Sequence, residues 1–571
     1  MSKIVNKAVI AIGGEAGYGI MSASDMIAKS MVLGGLNIYT RAEYPSLIRG
    51  GNNAVTIRVA EEEIGCSVQH IDLLLALNKE TVDKYKKFLK KGSAIVYDSK
   101  HFQLNKASYK GIKLYDIPIL KLIEELELPK VVMNTIIIGA GLGILDYDIT
   151  LFEKSIKKAF AKKKKEVIQI NLRAVRAGYN YVKHFFDDEF GIILKKIPKK
   201  GKKIILTGND SLSIGAIKAG CKFLSAYPMT PASSIMTYFA KHETKAKVVM
   251  KQAFDEIGAI NMALGASYAG VRSMTSTSGG GLALMTETVS LLGIQEIPLV
   301  IVNVQRPGPA TGLPTRQGQG DLKFVLNIGH GDFPRIVMAP GDYQELFYDT
   351  FDLFNLAEKY QVPALILSDK TFASSKCSID PFDMKGMKIK RTIMSDAECN
   401  KIKNYKRFAN TKSGISKRAI PGQKCVFRSS SDDHNEFGEI FEGEENKIMM
   451  EDKRFRKMDG LLKELPLPKI YGPKTADITI VSWGSPKNAI LEAMQMSKKK
   501  INFIQIKYMM PFHADYIGKF LNKAKKVICV EENKTGQLAD IIRMNTGFKV
   551  HKKLLKYGGR SFFPEEILKG L

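Results

Sequence analysis

A mixed α/β fold made of several parallel-sheet domains is what the sequence predicts, and three observations predict it. Continuous apolar runs of strand length recur, among them "AVIAI" near the start, "PLVIVNVQ" in the middle and "KVICVEEN" near the end, the pattern of strands buried on both faces. Helix-compatible stretches alternate with them. Glycine-rich or proline-bounded turns close several of the runs, and open α/β sheets place their ligand contacts at such strand ends. At 571 residues and 45% hydrophobic, the chain can bury several cores, which implies three or four domains of ordinary size.

The first domain, residues 1–190, opens with a strand at 8–12, then "GGEAGYG", then a helical run at 20–33. Strand, glycine turn and helix N-terminus make Gly14, Gly17 and Gly19 a candidate anion cradle, because unpaired N–H groups and the helix dipole point the same way. The spacing GGxxGxG departs from the dinucleotide fingerprint GxGxxG, and glycines that merely permit a tight turn account for it equally. "YTRAEYPSLIRGGNNAVTIRV" carries an alternating strand at 54–59. Apolar runs at 73–77, 94–97 and 131–138 continue the strand series, and helices at 150–163 and 172–184 close the domain. The lysine-rich "LKKIPKKGKK", with Pro198 and Gly201, reads as an exposed linker over 191–202.

The second domain, residues 203–380, begins with another strand, turn and helix in "IILTGNDSLSIGAIKAG". "CKFLSAYPMTPASSIMTYFA" reads as strand, loop and helix, with Pro231 near the first helical turn and Ser233 and Ser234 at its N-terminus. "KVVMKQ" is a short strand, "DEIGAINMALGASYAG" a small-residue helix suited to close packing, and "SMTSTSGGGLALM" a strand, glycine turn and helix. A helix over 343–360 leads to the buried strand "VPALILSD". Residues 381–470 form a long excursion with a charged helix at 453–465, and loops of that length without a role are uncommon. The last domain, 471–571, has strands in "DITIVSWGS", "NFIQIKYMMPF" and "KVICVEENKTGQLADIIR", separated by helices.

No stretch of about 18 apolar residues appears, and the N-terminal apolar run leads into glycines where a signal peptide would have a small-residue cleavage site. The expected location is the cytoplasm, without a membrane partner. Cys66, Cys221, Cys377, Cys399, Cys425 and Cys529 make no CxxC pair, which argues against a zinc or iron–sulfur site in this chain and for reduced thiols. The formal charge is +28, from 86 Lys and Arg against 58 Asp and Glu. Its lysines bunch in "KYKKFLKKG", "KSIKKAFAKKKKE" and "KKIPKKGKK" without a recognisable nucleic-acid motif, so the expectation is a solvated basic surface and no nucleic acid. An acidic redox partner or a polyanionic cofactor is the functional reading of the same field.

Residues 227–316 hold "YPMTPAS", "QAFDEIGAINMALGAS" and "TSTSGGG" and run into "QRPGPATGLPTRQGQGDL". In this order the motifs resemble the alpha subunit of the 2-oxoacid:ferredoxin oxidoreductases, thiamine diphosphate enzymes that convert a 2-oxoacid and coenzyme A to an acyl-CoA. "GGEAGYG" and "EYPSLIRGGNN" are similar to that family's gamma domain, here fused ahead of the alpha part, and "VEENKTGQLADIIR" to its C-terminal domain. The resemblance covers nearly the whole chain. It implies a thiamine-diphosphate pyrimidine-binding domain at 203–380 and a transketolase C-terminal-like domain at 471–571. Family members often have Pro at Gly280 and Ile at Met229, and neither difference removes a side-chain function.

By that resemblance Glu256 holds the cofactor's aminopyrimidine in its imino tautomer, a role that needs a carboxyl group in an apolar setting. The residues alone show a glutamate opening a helix whose next turns are Ala, Ile, Met and Leu, where dipole stabilisation is the ordinary role. Arg306, just after a buried strand, is implied as the fork for the substrate carboxylate, with Thr230 as hydroxyl donor; a surface ion pair and a helix cap are their ordinary roles. Thr315, Arg316 and Tyr227 are the candidates for contact with a second carboxylate or coenzyme A. The chain has neither a "GDG" diphosphate–metal turn nor cluster-binding cysteines. The resemblance therefore implies a shared site, in which a beta subunit supplies the diphosphate contacts, Mg²⁺ and an iron–sulfur cluster, and ferredoxin takes the electrons. The expected function is the fused gamma–alpha subunit of a 2-oxoglutarate:ferredoxin oxidoreductase. Branched-chain 2-oxoacids and pyruvate are the alternatives within the class, and a non-catalytic nucleotide- or coenzyme A-binding assembly subunit is the alternative outside it.

Overall fold

The computed structural model describes residues 3–46, 50–186, 190–198 and 201–571. Residues 47–49 of "EYPSLIRGGNN" and Lys199 and Lys200 of the expected linker lie outside the described residues. The chain forms two compact units, Met1–Leu206 with Ser374–Pro381, and Thr207–Ala373 with Phe382–Leu571.

The first unit is built on an eight-stranded mixed sheet. Its strand Ala8–Glu15 runs parallel to Ile71–Ala76 and antiparallel to Asn52–Ala60. Leu89–Tyr97 and Lys113–Asp116 extend the parallel side, and Asn37–Glu43 the antiparallel side. The first strand continues beyond residue 12 through both glycines because its neighbours keep pairing with it. Gly13 lies between Ala54 and Ala76, and a Cβ there would come within 2.6 Å of Thr81 Cγ2.

The run at 131–138, expected as a strand, belongs mostly to the buried helix Met133–Ile144. A short run that is mostly apolar, and buried from Val132 onward, has no periodicity to separate strand from helix. The adjoining glycines explain the outcome, since they let this helix press its backbone onto the helix Lys165–Phe185. A Cβ on Gly139 would lie 2.0 Å from Val175 O, and one on Gly178 would lie 2.0 Å from Ile136 O. Two strands from beyond the linker complete the sheet: Lys376–Ile379 pairs antiparallel with Asn37–Glu43, and Ile204–Thr207 forms the edge. The sequence boundaries put both in 203–380. Long-range pairing, which a local pattern does not carry, puts them here.

The second unit holds two sheets. The larger has the order Val249–Gln252, Phe223–Ala226, Ser273–Thr277, Leu299–Gln305, Pro363–Asp369, Ile336–Met338 and Tyr508–Met510. Its first six strands are parallel and the last antiparallel. Leu299–Gln305 is buried at every position between parallel neighbours, as its unbroken apolar run predicts. The smaller sheet has the order Lys469–Tyr471, Ile501–Gln505, Ile478–Ser482, Val527–Glu531 and Lys552–Leu555. Ile301 and Leu365 of the larger sheet share one apolar core with Ile504 of the smaller, with Trp483 just after its strand Ile478–Ser482, and with Leu538 on the helix Gln537–Thr546.

The expected excursion at 381–470 packs against the strand-start edge of the larger sheet. Helix Glu444–Glu464 buries Lys453 and Lys457 against Glu296, just ahead of Leu299–Gln305. Arg407 donates to Glu296 O and to Gln361 Oε1, each at 2.8 Å, and Arg418 donates to Ser267 O. Burial opposes ionisation of Glu296, but the charges of Lys453, Lys457 and Arg407 hold its carboxyl far below the usual range. Every one of these acceptors precedes a strand, so the cover lies opposite the edge where a parallel sheet presents ligand contacts. No helix among the described residues is long and apolar enough to cross a membrane.

Candidate active site

The parallel strands of the larger sheet end together, and their ends bring the motifs of residues 227–316 side by side. Glu256 opens the helix Glu256–Tyr268, whose N-cap Asp255 accepts from Gly258 N at 2.6 Å. The cap explains why the helix starts here, and the small residues after it explain its close approach to the sheet. Ala259, Ile260 and Ala263 are buried beneath it. Glu256 is only 5% exposed, and its Oε1 is buried without a hydrogen-bond partner among the described residues. An unpaired buried carboxyl oxygen is costly, so its persistence points to a partner from outside the chain.

The glycines expected as a turn instead open the short helix Gly279–Leu284, and its first turn forms the wall opposite. A Cβ on Gly281 would come within 2.7 Å of Glu256 Oε1 and 2.2 Å of Thr277 Oγ1, and one on Gly279 within 2.6 Å of Asp321 Oδ2. Gly280 faces nearly open space, its nearest neighbour being Ala310 O at 3.8 Å. The turn therefore has no room for side chains where it meets the two carboxyl groups.

Arg306 and Thr230 are in direct contact, but through the backbone: Arg306 Nη1 donates to Thr230 O at 2.5 Å. Burial lowers the Arg306 pKa, and the charge of Asp321 acts the other way. Asp321 accepts from Asn303 Nδ2 at 3.0 Å. Burial pushes its carboxyl up, while the Asn303 hydrogen bond and Arg306 draw it down. Asp321 was not among the expected site residues, although "GQGDL" contains it.

The remaining candidates are spread more widely. Thr315 is buried, while Arg316 is half-buried with its Cβ 3.1 Å from where a Cβ on Gly559 would stand. Tyr227, just after the strand Phe223–Ala226, is 37% exposed. In the first unit Gly14 lies inside a strand, and only Gly17 and Gly19 have positive φ in the turn. Asn134 Nδ2 donates there to Tyr18 O at 2.8 Å. Gln317, Gln319, Asp369 and Glu532, which form a buried polar joint behind the Arg306 loop, were not expected either. "QGQGDL" and "VEEN" contain three of them, but nothing local marks them as partners.

Comparison with known proteins gives one consistent answer. Residues 9–181 match the family model described as pyruvate ferredoxin/flavodoxin oxidoreductase, and residues 214–449 that described as pyruvate flavodoxin/ferredoxin oxidoreductase, thiamine diP-binding. The chain is 33% identical to the 2-oxoacid:ferredoxin oxidoreductase subunit alpha of Sulfolobus sp, over 98% of this chain and 96% of the relative. It is 29% identical to the 2-oxoglutarate oxidoreductase subunit KorA of Mycobacterium tuberculosis, over 98% and 90%. A solved structure of 2-oxoglutarate:ferredoxin oxidoreductase from Magnetococcus marinus, with 2-oxoglutarate, coenzyme A and succinyl-CoA bound, superimposes with a TM-score of 0.93 at 33% identity, covering 99% of each chain.

Proposed function

The chain belongs to the alpha subunits of the 2-oxoacid:ferredoxin oxidoreductases, and from that premise we propose that it is the fused gamma–alpha subunit of an enzyme acting on 2-oxoglutarate. The reaction is oxidative decarboxylation: the 2-oxoacid and coenzyme A give an acyl-CoA and CO₂, with two electrons passed to ferredoxin. As an alpha subunit, the chain is one part of a multi-subunit enzyme. A beta subunit carrying the diphosphate contacts, Mg²⁺ and the iron–sulfur cluster is the partner this reading requires. Residues 203–380, less the two strands that join the first sheet, serve as the pyrimidine-binding domain, and 471–571 as the transketolase C-terminal-like domain.

The observation that carries the proposal is the buried, unpartnered Oε1 of Glu256 facing a turn without side chains. This fits thiamine diphosphate, whose aminopyrimidine needs a carboxyl partner in a dry slot. The chemistry supplied by bound thiamine diphosphate is a nucleophilic carbon and an electron sink for decarboxylation. Glu256 would hold the aminopyrimidine through Oε1, the buried oxygen that has no hydrogen-bond partner among the described residues. Arg306 binds the substrate carboxylate through its free guanidinium edge, steadied by the Thr230 carbonyl. Thr230 adds its hydroxyl. Thr315, Arg316 and Tyr227 are the contacts proposed for a second carboxylate or coenzyme A. The solved relative of M. marinus, bound to 2-oxoglutarate and coenzyme A, supports the choice of substrate.

The test is turnover of the purified heteromer with each 2-oxoacid in turn, read as acyl-CoA formation. The expected order puts 2-oxoglutarate first. A clear preference for 2-oxoisovalerate or pyruvate would overturn the substrate assignment and leave the reaction class standing.

A further inference from the structure

The loop that follows Arg306 is folded back on itself and tied at its return limb. Leu313 N donates to Pro307 O at 3.0 Å. Gly318 packs on the same proline, where a Cβ would stand 3.1 Å from Pro307 N. The residue after Arg306 is thus in contact with the residue between Gln317 and Gln319.

Both glutamines are bound to one acid of the C-terminal sheet. Gln317 Nε2 donates to Glu532 Oε2 at 2.6 Å. Gln319 N donates to Glu532 O at 2.8 Å, and Glu532 N donates to Gln319 Oε1 at 3.2 Å. The second carboxyl oxygen of Glu532 accepts from Phe562 N at 2.7 Å. Thr371 N donates to Gln317 Oε1 at 2.8 Å, just beyond Asp369, which itself accepts from Ser485 Oγ at 2.5 Å. Gln317, Gln319, Asp369 and Glu532 are all buried. Burial and then the charge of Asp369 push the Glu532 carboxyl up to about 8.

We propose that Glu532 is a positioning residue for substrate binding, holding Gln317 and Gln319 so that Pro307, and with it Arg306, stays in register with Thr230. This rests on the reading of Arg306 as the substrate-carboxylate residue. The joint lies where Pro363–Asp369 and Val527–Glu531 end, the edge at which α/β sheets hold their ligands. Two carboxyl groups buried together are an expensive way to join two sheets, and a purely structural joint is made more stably from apolar groups.

Glu532→Gln in the complete enzyme complex tests it. The amide keeps one acceptor oxygen, so the bond to Gln317 or the bond to Phe562 N is lost while the volume is unchanged. Two readouts are taken: steady-state kinetics, and hydrogen–deuterium exchange of the peptide over residues 307–319. The expected result is a KM for the 2-oxoacid raised about tenfold with kcat changed by less than about threefold, and faster exchange in that peptide. Gln317→Ala is expected to do the same, and the double variant to exceed either single by little, because both break one link. Unchanged exchange overturns the proposal, as does faster exchange with an unchanged KM. Arg306→Lys separates the premise from the inference: an unchanged KM in that variant defeats the reading of Arg306, whereas faster exchange in Glu532→Gln still reports the tie. If Glu532→Gln does not assemble, Gln317→Ala alone decides by the same two readouts.

Discussion

Glu256 Oε1 is shut away from water with no hydrogen-bond partner among the described residues, a state that costs about 1–3 kcal/mol for a buried polar group. Glu256→Gln keeps the shape and replaces the carboxyl group with an amide. Acyl-CoA formation by the assembled complex is expected to fall at least about 100-fold, about 2.7 kcal/mol in the barrier, while size-exclusion chromatography shows unchanged assembly. Activity within a few-fold of wild type would remove Glu256 from the mechanism. Gly281→Ala approaches the same group from the other side, because its methyl would stand 2.7 Å from Oε1 and 2.2 Å from Thr277 Oγ1. A similar loss of turnover is expected, with stability lowered by about 1–3 kcal/mol through overpacking. In the sequence, the motif points to Glu256. Gly281 was legible only as a turn residue, since its role depends on which side chain folds over it.

Elements with their own start signals were readable from the chain. Asp342 caps the helix Tyr343–Tyr360 by accepting from Glu345 N at 2.8 Å, and the helix was expected over those residues. The pair Met133–Ile144 and Lys165–Phe185 shows what local pattern misses. Its first member is buried all round, and its stability comes from a glycine-lined seam where backbones touch. Gly178→Ala places a methyl 2.0 Å from Ile136 O, a contact that only backbone separation can relieve. Thermal unfolding should show a loss of about 3 kcal/mol, and an unchanged melting temperature would mean that the seam is looser than described. Alanine at an ordinary helical glycine would instead stabilise by roughly 0.5–1 kcal/mol, so the sign of the effect reports the packing.

At the scale of the whole second unit, the two sheets are locked by charge as well as by their shared core. Lys487 is ion-paired with Asp342 at 2.5 Å and with Glu345 at 2.7 Å, and Lys507 with Asp349 at 2.8 Å. Burial acts against ionisation of Glu345, but Lys487 and then Lys507 outweigh it and hold its pKa below the ordinary value. A carboxyl lowered in the folded state adds stability above its unfolded pKa, about 4.3 for glutamate, and that contribution fades as pH falls through the folded value. Lys487→Met leaves two acids unpaired and should cost about 3–5 kcal/mol at pH 7. The gap in melting temperature from wild type should narrow as pH drops below about 4; a gap that stays constant would place the stabilisation elsewhere. From the sequence alone came the α/β class, most of the helices and strands, and the order of the motifs from Tyr227 to Arg316, because periodicity, caps and turn residues act over a few positions. Only the tertiary structure decided that Ile204–Thr207 and Lys376–Ile379 belong to the first sheet, that the long excursion covers the strand-start edge, and that Glu532 grips the loop behind Arg306 from 215 residues away. Strand pairing and buried hydrogen bonds join residues remote in the chain, and their free energy exists only once those residues meet.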